Sequence, residues 1–148
     1  MLASELSVAA HYELPIKVVV VKNGTLGMIK WEQMVFLGNP SYGVDLPRVD
    51  LAKVAEGLGV KGFYVERPQD VGAVLDEAFA HAGPALVECA VDPFEPPHPP
   101  KVRLEQAVNM AKALARGQPG ATRIGLTLFR DKVDDLLRER PRREERAR

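Results

Sequence analysis

The sequence predicts an α/β fold: a partial doubly wound parallel sheet with three visible strands, followed by a helical C-terminal extension. Three short apolar runs, the first of them β-branched, alternate with segments whose apolar residues recur at helical spacing. Short loops join these segments, which is typical of βαβ units with right-handed crossovers and a parallel sheet. Most sheets of this class contain more strands, so we expect this sheet to be part of a larger one.

The chain opens on a helix, and the first strand follows it. Apolar residues recur at helical spacing from Leu2 to Tyr12, which predicts an amphipathic helix. After Pro15, the run from Ile16 to Val21 has no polar–apolar alternation apart from Lys17. Such a run is typical of a parallel strand that is covered on both faces.

Two helices separated by a loop are predicted next. Residues 26–37 show a weak helical pattern, with the apolar residues Leu26, Ile29, Phe36 and Leu37. The turn-rich loop GNPSYGVDLP follows. Asp50 can then cap a helix that Gly59 ends, with an apolar face made of Leu51, Val54, Ala55 and Leu58.

The remaining two strands enclose the strongest helical pattern in the sequence. Gly62 to Glu66 and Ala85 to Val91 are the strands, and Gly83-Pro84 breaks the helix between them. Pro68 suits the first position of that helix. Its apolar residues recur on one face, namely Val71, Val74, Leu75, Ala78 and Phe79.

The composition changes at Asp92, where DPFEPPHPP predicts an extended connector. We therefore predict two parts, residues 1–95 with the sheet and residues 96–148 with a proline-rich linker and a helical tail. The tail has two predicted apolar faces, Leu104, Ala107, Val108, Ala111 and Ala115 in one helix and Leu126, Phe129, Val133, Leu136 and Leu137 in the next. The last segment, RERPRREERAR, is interpreted as a solvated end, with nucleic-acid binding as a minor alternative.

The bulk composition excludes several classes of protein. The chain has 148 residues, is 46% hydrophobic and 27% charged, and has no formal net charge, so it is globular and gives no signal for nucleic acid. No apolar run approaches the roughly 20 residues of a membrane span, and the N-terminus lacks a signal-peptide pattern. The single cysteine, Cys89, predicts a buried thiol, which favours a reducing, cytoplasmic location.

The most informative short motif is VVVVKNGTLG, where a strand ends on Lys22, Asn23 and Gly24. Ligands of doubly wound sheets bind outside the carboxyl ends of the strands. The Asn23 carboxamide suits a hard divalent cation, and Gly24 permits a sharp turn or a close approach to a ligand. The other interpretation is an ordinary Asn-Gly turn, which the spacing alone favours.

Longer stretches match a known family in the expected order. From Leu14 onward, the chain resembles the C-terminal, diphosphate-binding domain of thiamine diphosphate enzymes in the pyruvate oxidase and acetolactate synthase branch. The matching stretches are LPIKVVVVKNGTLGM, YGVDLPRVDLAKVAEGLGVKGFYVERPQDV and GPALVECAVDPFEPPHPPKVRLEQA. The tail ALARGQPGATRIGLTLFRDKV is also similar to a C-terminal extension of pyruvate-oxidase-like members.

This resemblance implies a magnesium and cofactor site. The family signature begins Gly-Asp-Gly and closes Asn-Asn; Asn23 matches the closing asparagine, a side-chain magnesium ligand, and Thr25 matches a position that gives its main-chain oxygen. The implied cofactor-binding residues are Asn23, Gly24, Thr25, Leu26 and Gly27. Lys22 replaces the first asparagine of the pair, which leaves the local charge and turn geometry open.

The start of the family signature is absent from the sequence. The helix that begins at Leu2 resembles the one that follows Gly-Asp-Gly, so the chain is interpreted as N-terminally truncated. The residues that contact the cofactor rings, and the glutamate that activates the aminopyrimidine, are expected on other parts of the protein. We therefore expect the chain alone to be inactive and assign no catalytic residue to it.

The resemblance implies that the intact protein depends on thiamine diphosphate and Mg²⁺ and decarboxylates a 2-oxo acid, as pyruvate oxidase or a quinone-linked pyruvate dehydrogenase does. One alternative is an acetolactate synthase-like enzyme; another is a non-catalytic remnant or interaction module. In the oxidase case FAD is expected on a separate domain, because this chain has no flavin-binding motif. A homo-oligomer is also expected, since a three-stranded sheet exposes an apolar edge.

The other polar and aromatic candidates are given structural roles. The histidines lack metal-ligand spacing: His11, His81 and His98. His81 is interpreted as a residue at a helix C-terminus, where a positive charge is favoured. Asp45, in the loop that resembles the substrate-side region of the family, is interpreted as a turn carboxylate, and Glu32 is not assigned as a catalyst. Two aromatic residues are predicted to pack in a core, Trp31 and Phe36.

Overall fold

The computed structural model describes residues 3–95 and 103–130. The chain forms two compact units, one made of Met1–Gly24 and Leu46–Asp92, the other of Thr25–Asp45 and Pro93–Arg148. The elements in chain order are α1 (Glu5–His11), β1 (Lys17–Lys22), α2 (Gly27–Val35), α3 (Leu51–Gly57), β2 (Lys61–Val65), a 3₁₀ turn (Pro68–Asp70), α4 (Val71–Ala80), β3 (Ala85–Ala90) and α5 (Leu104–Ala115). Residues 121–130 are also helical.

The first unit is built on a three-stranded parallel sheet in the order β1-β3-β2. The predicted parallel sheet is therefore confirmed, with the last strand in sequence at its centre. Val87 of β3 pairs with Val19 of β1 on one side and with Phe63 of β2 on the other. Because β3 has a neighbour on each side, its first four residues, from Ala85 to Glu88, are all buried.

Helices cover both faces of the central strand. Leu86 packs in a cluster with Ala55 of α3 and with residues of α1, whereas Val87 packs with Ala78 of α4. Successive residues of a strand point to opposite faces. The two clusters therefore lie on opposite faces of the sheet, which is the doubly wound arrangement that the sequence predicts.

The edge strand β1 is covered on one face only, as far as the described residues show. Val18 and Val20 pack into the cluster of Leu86, but Val19 and Val21 are 47% and 69% exposed. The expectation that this run is covered on both faces is wrong for this unit, because α4 packs against β2 and β3. An apolar sheet edge is therefore present, as the small number of strands predicts.

The local signals for helix starts are confirmed in this unit. The Asp50 carboxylate accepts a hydrogen bond from the Lys53 amide at 3.0 Å and so caps α3. Pro68 begins the 3₁₀ turn that leads into α4. The predicted apolar residues of α4 pack against the sheet, apart from Phe79, which is 64% exposed.

The second unit is built around α2 and α5. Trp31 and Met34 of α2 form a buried cluster with Ala113 of α5 and with Ile124. The predicted packing of Trp31 is confirmed, whereas Phe36 is 62% exposed. Tryptophan thus anchors the helix pair, although the pattern predicted for α2 did not place it on the apolar face.

The predicted apolar faces of the tail helices are wrong where the structure describes them. Leu104 of α5 is 82% exposed, and in the following helix Leu126 and Phe129 are 65% and 70% exposed. The packed side chains are Met110, Ala113, Leu114, Ile124 and Leu128. Alanine occurs around much of α5, so the sequence gives little basis for choosing the predicted apolar face over the adjacent face of the helix.

The boundary predicted between residues 95 and 96 borders a stretch outside the described residues, so it stays a prediction. The positions of His98, Val133, Leu136 and Leu137 and the arginine-rich final segment also lie outside the described residues.

Candidate functional site

An open crevice of about 630 Å³ lies within the first unit, at the carboxyl ends of its strands. Ligands of doubly wound sheets bind at this edge. The lining residues come from the ends of the three strands and from the segment before α3: Lys22, Asn23, Gly24, Arg48, Val49, Asp50, Tyr64, Glu66, Glu88, Ala90 and Val91. The predicted ligand-binding edge of the sheet is therefore a real concave surface.

Asn23 and Gly24 lie where β1 ends and form part of the crevice wall. The Asn23 side chain is half-buried. Gly24 has a φ of +67°, the left-handed conformation that glycine adopts without strain. A Cβ built on Gly24 would meet no other atom within 4 Å, so the backbone there faces open space. The chain therefore bends at Gly24 next to open space, as glycine at the end of a strand permits.

Lys22, the last residue of β1, is held by an ion pair. Its Nζ lies 2.6 Å from Glu88 Oε1, and it also donates a hydrogen bond to the Val49 carbonyl. The Glu88 side chain is 3% exposed and the Lys22 side chain 27%. The charge introduced at position 22 is therefore balanced inside the crevice wall.

Glu88 also binds the start of α3. Its Oε2 accepts hydrogen bonds from the amides of Leu51 at 2.6 Å and Ala52 at 3.1 Å. These amides belong to the first turn of a helix, which has no intrahelical acceptors for them. Glu88 is not among the site residues predicted from the sequence, because it lies inside the apolar run ALVECA. Its single charge within a predicted buried strand was the available signal.

Two further crevice residues have shifted acidities. The Lys53 ammonium, which donates a hydrogen bond to the Asp50 carboxylate from 2.8 Å, lowers the pKa of that carboxyl, and the hydrogen bond from the Lys53 backbone amide acts in the same direction. Desolvation raises the pKa of Tyr64, and its hydrogen bond to Glu66 Oε2 at 3.1 Å adds to this. Asp50 therefore stays ionised at neutral pH, and Tyr64 stays protonated.

The other predicted cofactor-binding residues, Thr25, Leu26 and Gly27, belong to the second unit. Thr25 is 7% exposed, and its hydroxyl donates a hydrogen bond to the Val44 carbonyl at 3.1 Å. The Leu26 amide donates to the same carbonyl at 2.8 Å, and Thr25 forms an antiparallel bridge with Asp45. Gly27 begins α2. The Thr25 side chain is thus used locally, which is consistent with a role for its main chain only.

The donor set in the crevice fits one part of a magnesium site. Mg²⁺ in proteins is usually held by one or two carboxylates, by phosphate oxygens and by water. In residues 3–95 and 103–130, no group of three or more His, Cys, Asp or Glu residues is arranged to hold a metal ion. The Asn23 carboxamide can therefore act as one neutral ligand among several. The same described residues contain no helix that is long and apolar enough to cross a membrane.

Sequence comparison connects this crevice with a known family. The profile of the family described as thiamine pyrophosphate enzyme, C-terminal TPP binding domain, matches residues 1–89. The crevice residues that follow β1, and Glu88 of β3, lie inside this range. The match covers more than half of the chain.

Individual relatives agree with this match. The chain is 36% identical over 116 residues to YdaP of Bacillus subtilis (strain 168), whose provisional name describes it as thiamine pyrophosphate-containing. It is 35% identical over 105 residues to the acetolactate synthase isozyme 3 large subunit of Escherichia coli (strain K12). These alignments cover 78% and 67% of the chain but only 20% and 18% of the relatives. The chain thus spans about one fifth of the length of these curated relatives.

A solved structure has the same fold. The thiamine diphosphate-dependent 4-hydroxybenzoylformate decarboxylase of Rhodococcus jostii RHA1 superposes with a TM-score of 0.57 at 29% sequence identity. The superposition covers 61% of this chain and 17% of the decarboxylase. The likeness supports the α/β assignment independently of the sequence match.

Proposed function

This chain belongs to the thiamine pyrophosphate enzymes, in the family of their C-terminal TPP binding domain, and we propose that it forms the diphosphate-binding part of an enzyme that decarboxylates a 2-oxo acid. The proposed substrate is pyruvate, and the proposed activity of the whole protein is that of a pyruvate oxidase or a quinone-linked pyruvate dehydrogenase. The similarity of the tail sequence to pyruvate-oxidase-like members supports this choice.

The observation that carries the proposal is the position of Asn23. It follows the edge strand β1 directly and lines the crevice at the carboxyl ends of the strands. It is also the residue that matches the closing asparagine of the family signature. The residue that the resemblance implies as a magnesium ligand therefore also lines a concave surface of the structure.

Each proposed residue has a limited task. Bound thiamine diphosphate supplies the electron sink for decarboxylation of a 2-oxo acid. Asn23 would give its side-chain oxygen to Mg²⁺, and Thr25 would give its main-chain oxygen. Gly24, with open space beside its Cα, leaves room for the diphosphate; Leu26 and Gly27 are proposed to continue the cofactor-binding backbone. The remaining ligands, including a carboxylate, are proposed to come from outside this chain.

Two alternative functions are supported by separate observations. The relatives include acetolactate synthase large subunits, which favours a synthase in place of an oxidase. The lysine at position 22, where the family signature has asparagine, favours a chain that has lost catalysis and serves as an interaction module. An oxidase would need FAD on another part of the protein, whereas a synthase would need a second 2-oxo acid as acceptor.

The proposal extends to assembly and location. A homo-oligomer is proposed because Val19 and Val21 on the edge of the sheet are exposed and would be covered by another chain or another segment. A cytoplasmic location is proposed from the single cysteine.

Calorimetry with thiamine diphosphate and Mg²⁺ tests the proposal on the chain itself. We expect weak binding, in the millimolar range at best, because a neutral amide is a poor magnesium ligand without a carboxylate. Asn23→Ala should abolish the heat of binding, Asn23→Asp should increase affinity, and Asn39→Ala is the matched control in the second unit. No decarboxylation of pyruvate is expected from the chain alone.

Two results would contradict the proposal. Binding that Asn23→Ala leaves unchanged would place the cofactor elsewhere. Turnover of a 2-oxo acid above background by the isolated chain would show that the missing ligands are not required.

A further inference from the structure

A buried carboxylate on the central strand has a place in the crevice that the proposed metal ligands do not explain. Glu88 is 2% exposed, and three donors surround its two oxygens. A buried ion is costly unless it is paired and hydrogen-bonded. We propose that Glu88 is a positioning residue of the magnesium and diphosphate site: by neutralising Lys22 and fixing the start of α3, it allows a cationic residue next to Asn23.

The ion pair accounts for the charge at position 22. Lys22 Nζ is 2.6 Å from Glu88 Oε1 and also contacts the Val49 carbonyl. Without Glu88, an unbalanced ammonium would lie on the residue next to Asn23 and would repel a divalent cation, the more strongly because the crevice wall is partly desolvated. This inference rests on the proposed function, since it assumes that the cation binds at Asn23.

The second set of contacts accounts for the shape of the crevice. Glu88 Oε2 accepts from the amides of Leu51 and Ala52. The preceding residues, Arg48 to Asp50, line the crevice and lead directly into this turn. The Glu88 side chain therefore has two effects on the crevice. It neutralises the charge of Lys22 at the end of β1, and it fixes the backbone of the segment from Arg48 to Asp50.

Glu88→Gln separates this role from a purely structural one. A carboxamide has one acceptor and one donor group, so its NH₂ must face either the Lys22 ammonium or the amides of α3. Replacing Lys22 by Asn in the same chain removes this conflict, because the two carboxamides can then pair. Glu66→Gln is the matched control: it removes one negative charge from the same crevice and leaves the Lys22 pair intact.

The probe is Mn²⁺, a paramagnetic substitute for Mg²⁺, titrated into the full ¹⁵N-labelled chain while the Asn23 side-chain amide resonances are observed. We expect Glu88→Gln to weaken the Mn²⁺ effect about tenfold, as loss of residues that support metal ligands does. Lys22→Asn combined with Glu88→Gln should restore it to within about threefold, and Glu66→Gln should change it by less than about threefold. Hydrogen exchange of the Leu51 and Ala52 amides is measured on the same samples.

Several results would overturn the inference. These are an unchanged Mn²⁺ effect in Glu88→Gln, an equal loss in Glu66→Gln, or no recovery in the double variant. If Glu88→Gln does not fold, the double variant decides: a folded chain with near-wild-type Mn²⁺ response supports the pairing, and an unfolded one contradicts it.

Failure of the proposed function can be told apart from failure of this inference. If the unsubstituted chain shows no Mn²⁺ effect at Asn23, the metal site is wrong, and the exchange data then decide the role of Glu88. Faster exchange at Leu51 and Ala52 in Glu88→Gln, with unchanged exchange in α4 and recovery in the double variant, supports positioning; unchanged exchange at Leu51 and Ala52 overturns it.

Discussion

The strands β1 and β3 look alike in sequence but differ in their surroundings. Both are short, mainly apolar runs, with four valines in β1 and one in β3, and they pair along their full length. In β3 the first four residues are buried, whereas in β1 every residue is half-buried or exposed. The same kind of sequence therefore gives a covered strand at the centre of the sheet and a half-covered strand at its edge.

The two strands also bring different chemistry to the crevice. The edge strand leads into Asn23, which is half-buried and lines the crevice. The central strand carries Glu88, which is buried and bound to Lys22 and to α3. The end of the edge strand leaves Asn23 at the crevice surface. Glu88 contacts both β1 and α3, and for this it has to lie on the central strand between them.

The other edge strand, β2, shows that position at an edge does not by itself mean exposure. A Cβ added to Gly62 of β2 would collide with the carbonyl oxygen of Ala52 in α3. We expect Gly62→Ala to lower the free energy of unfolding by about 3 kcal/mol, because backbone must move to make room. Gly72→Ala in α4, where a Cβ meets no atom within 4 Å, should instead raise it by about 0.5 kcal/mol.

Urea denaturation of both variants provides the measurement. Equal effects of the two substitutions would show that α3 does not press closely on β2. The contrast between a covered edge and an uncovered one would then be lost.

A valine pair tests the contrast between β1 and β3 directly. Val19 and Val87 are partners in the sheet, yet Val87 is 1% exposed and Val19 is 47% exposed. We expect Val87→Ala to destabilise by about 2 kcal/mol through the cavity it leaves, and Val19→Ala by less than about 1 kcal/mol. Chemical denaturation of the two variants at one protein concentration measures both.

The prediction is contradicted if Val19→Ala lowers the free energy of unfolding as much as Val87→Ala does, or more. If Val19→Ala costs as much as Val87→Ala, then β1 is covered in solution, for example by a second copy of the chain. Sedimentation at several concentrations would distinguish such self-association from a rearranged monomer.

The smallest expected effect is the contribution of Asp50 to the pH dependence of the stability of the folded chain. Hydrogen bonding to Lys53 lowers the pKa of Asp50 below its ordinary value of 3.8. A carboxyl with a lowered pKa stabilises the folded chain above that ordinary value, and this contribution is lost as pH falls through the lower folded value.

Asp50→Asn removes this pH-dependent stabilisation but keeps the helix cap, because asparagine also caps a helix and does not titrate in this range. We expect the unsubstituted chain to lose more stability than the variant between pH 5 and pH 3. Thermal unfolding at these two pH values measures the difference; parallel losses would mean that the Asp50 hydrogen bond does not persist in solution.

Sequence reasoning predicted the order and type of the elements in the first unit because local rules dominate there. Asp50 as a cap and Pro68 at a helix start are local features, and both lie where expected. The edge position of β1 was not predictable, since it depends on β3 inserting between β1 and β2. Burial of β1 was therefore overestimated.

The candidate site was predicted in part for the same reason. Asn23 could be proposed because a strand end is visible in sequence. The single charge inside a predicted buried strand marked Glu88 as unusual, but its role could not be predicted, since that role depends on Lys22, 66 residues away in the chain, and on the amides of α3. In the second unit, the predicted buried faces of the helices were wrong, as the exposed side chains of Leu104 and Phe129 show. These helices are alanine-rich or evenly apolar, so tertiary packing decides which face is buried.

The most direct measurement is the Mn²⁺-induced relaxation map of the unsubstituted chain. If Asn23 is a metal ligand, the earliest and strongest broadening appears at its side-chain amide and at the Gly24 amide, and Asn23→Ala removes it. Broadening that begins at the exposed carboxylates, such as Glu66 or Glu13, and reaches Asn23 no sooner than the rest of the chain would contradict a metal site at the end of β1.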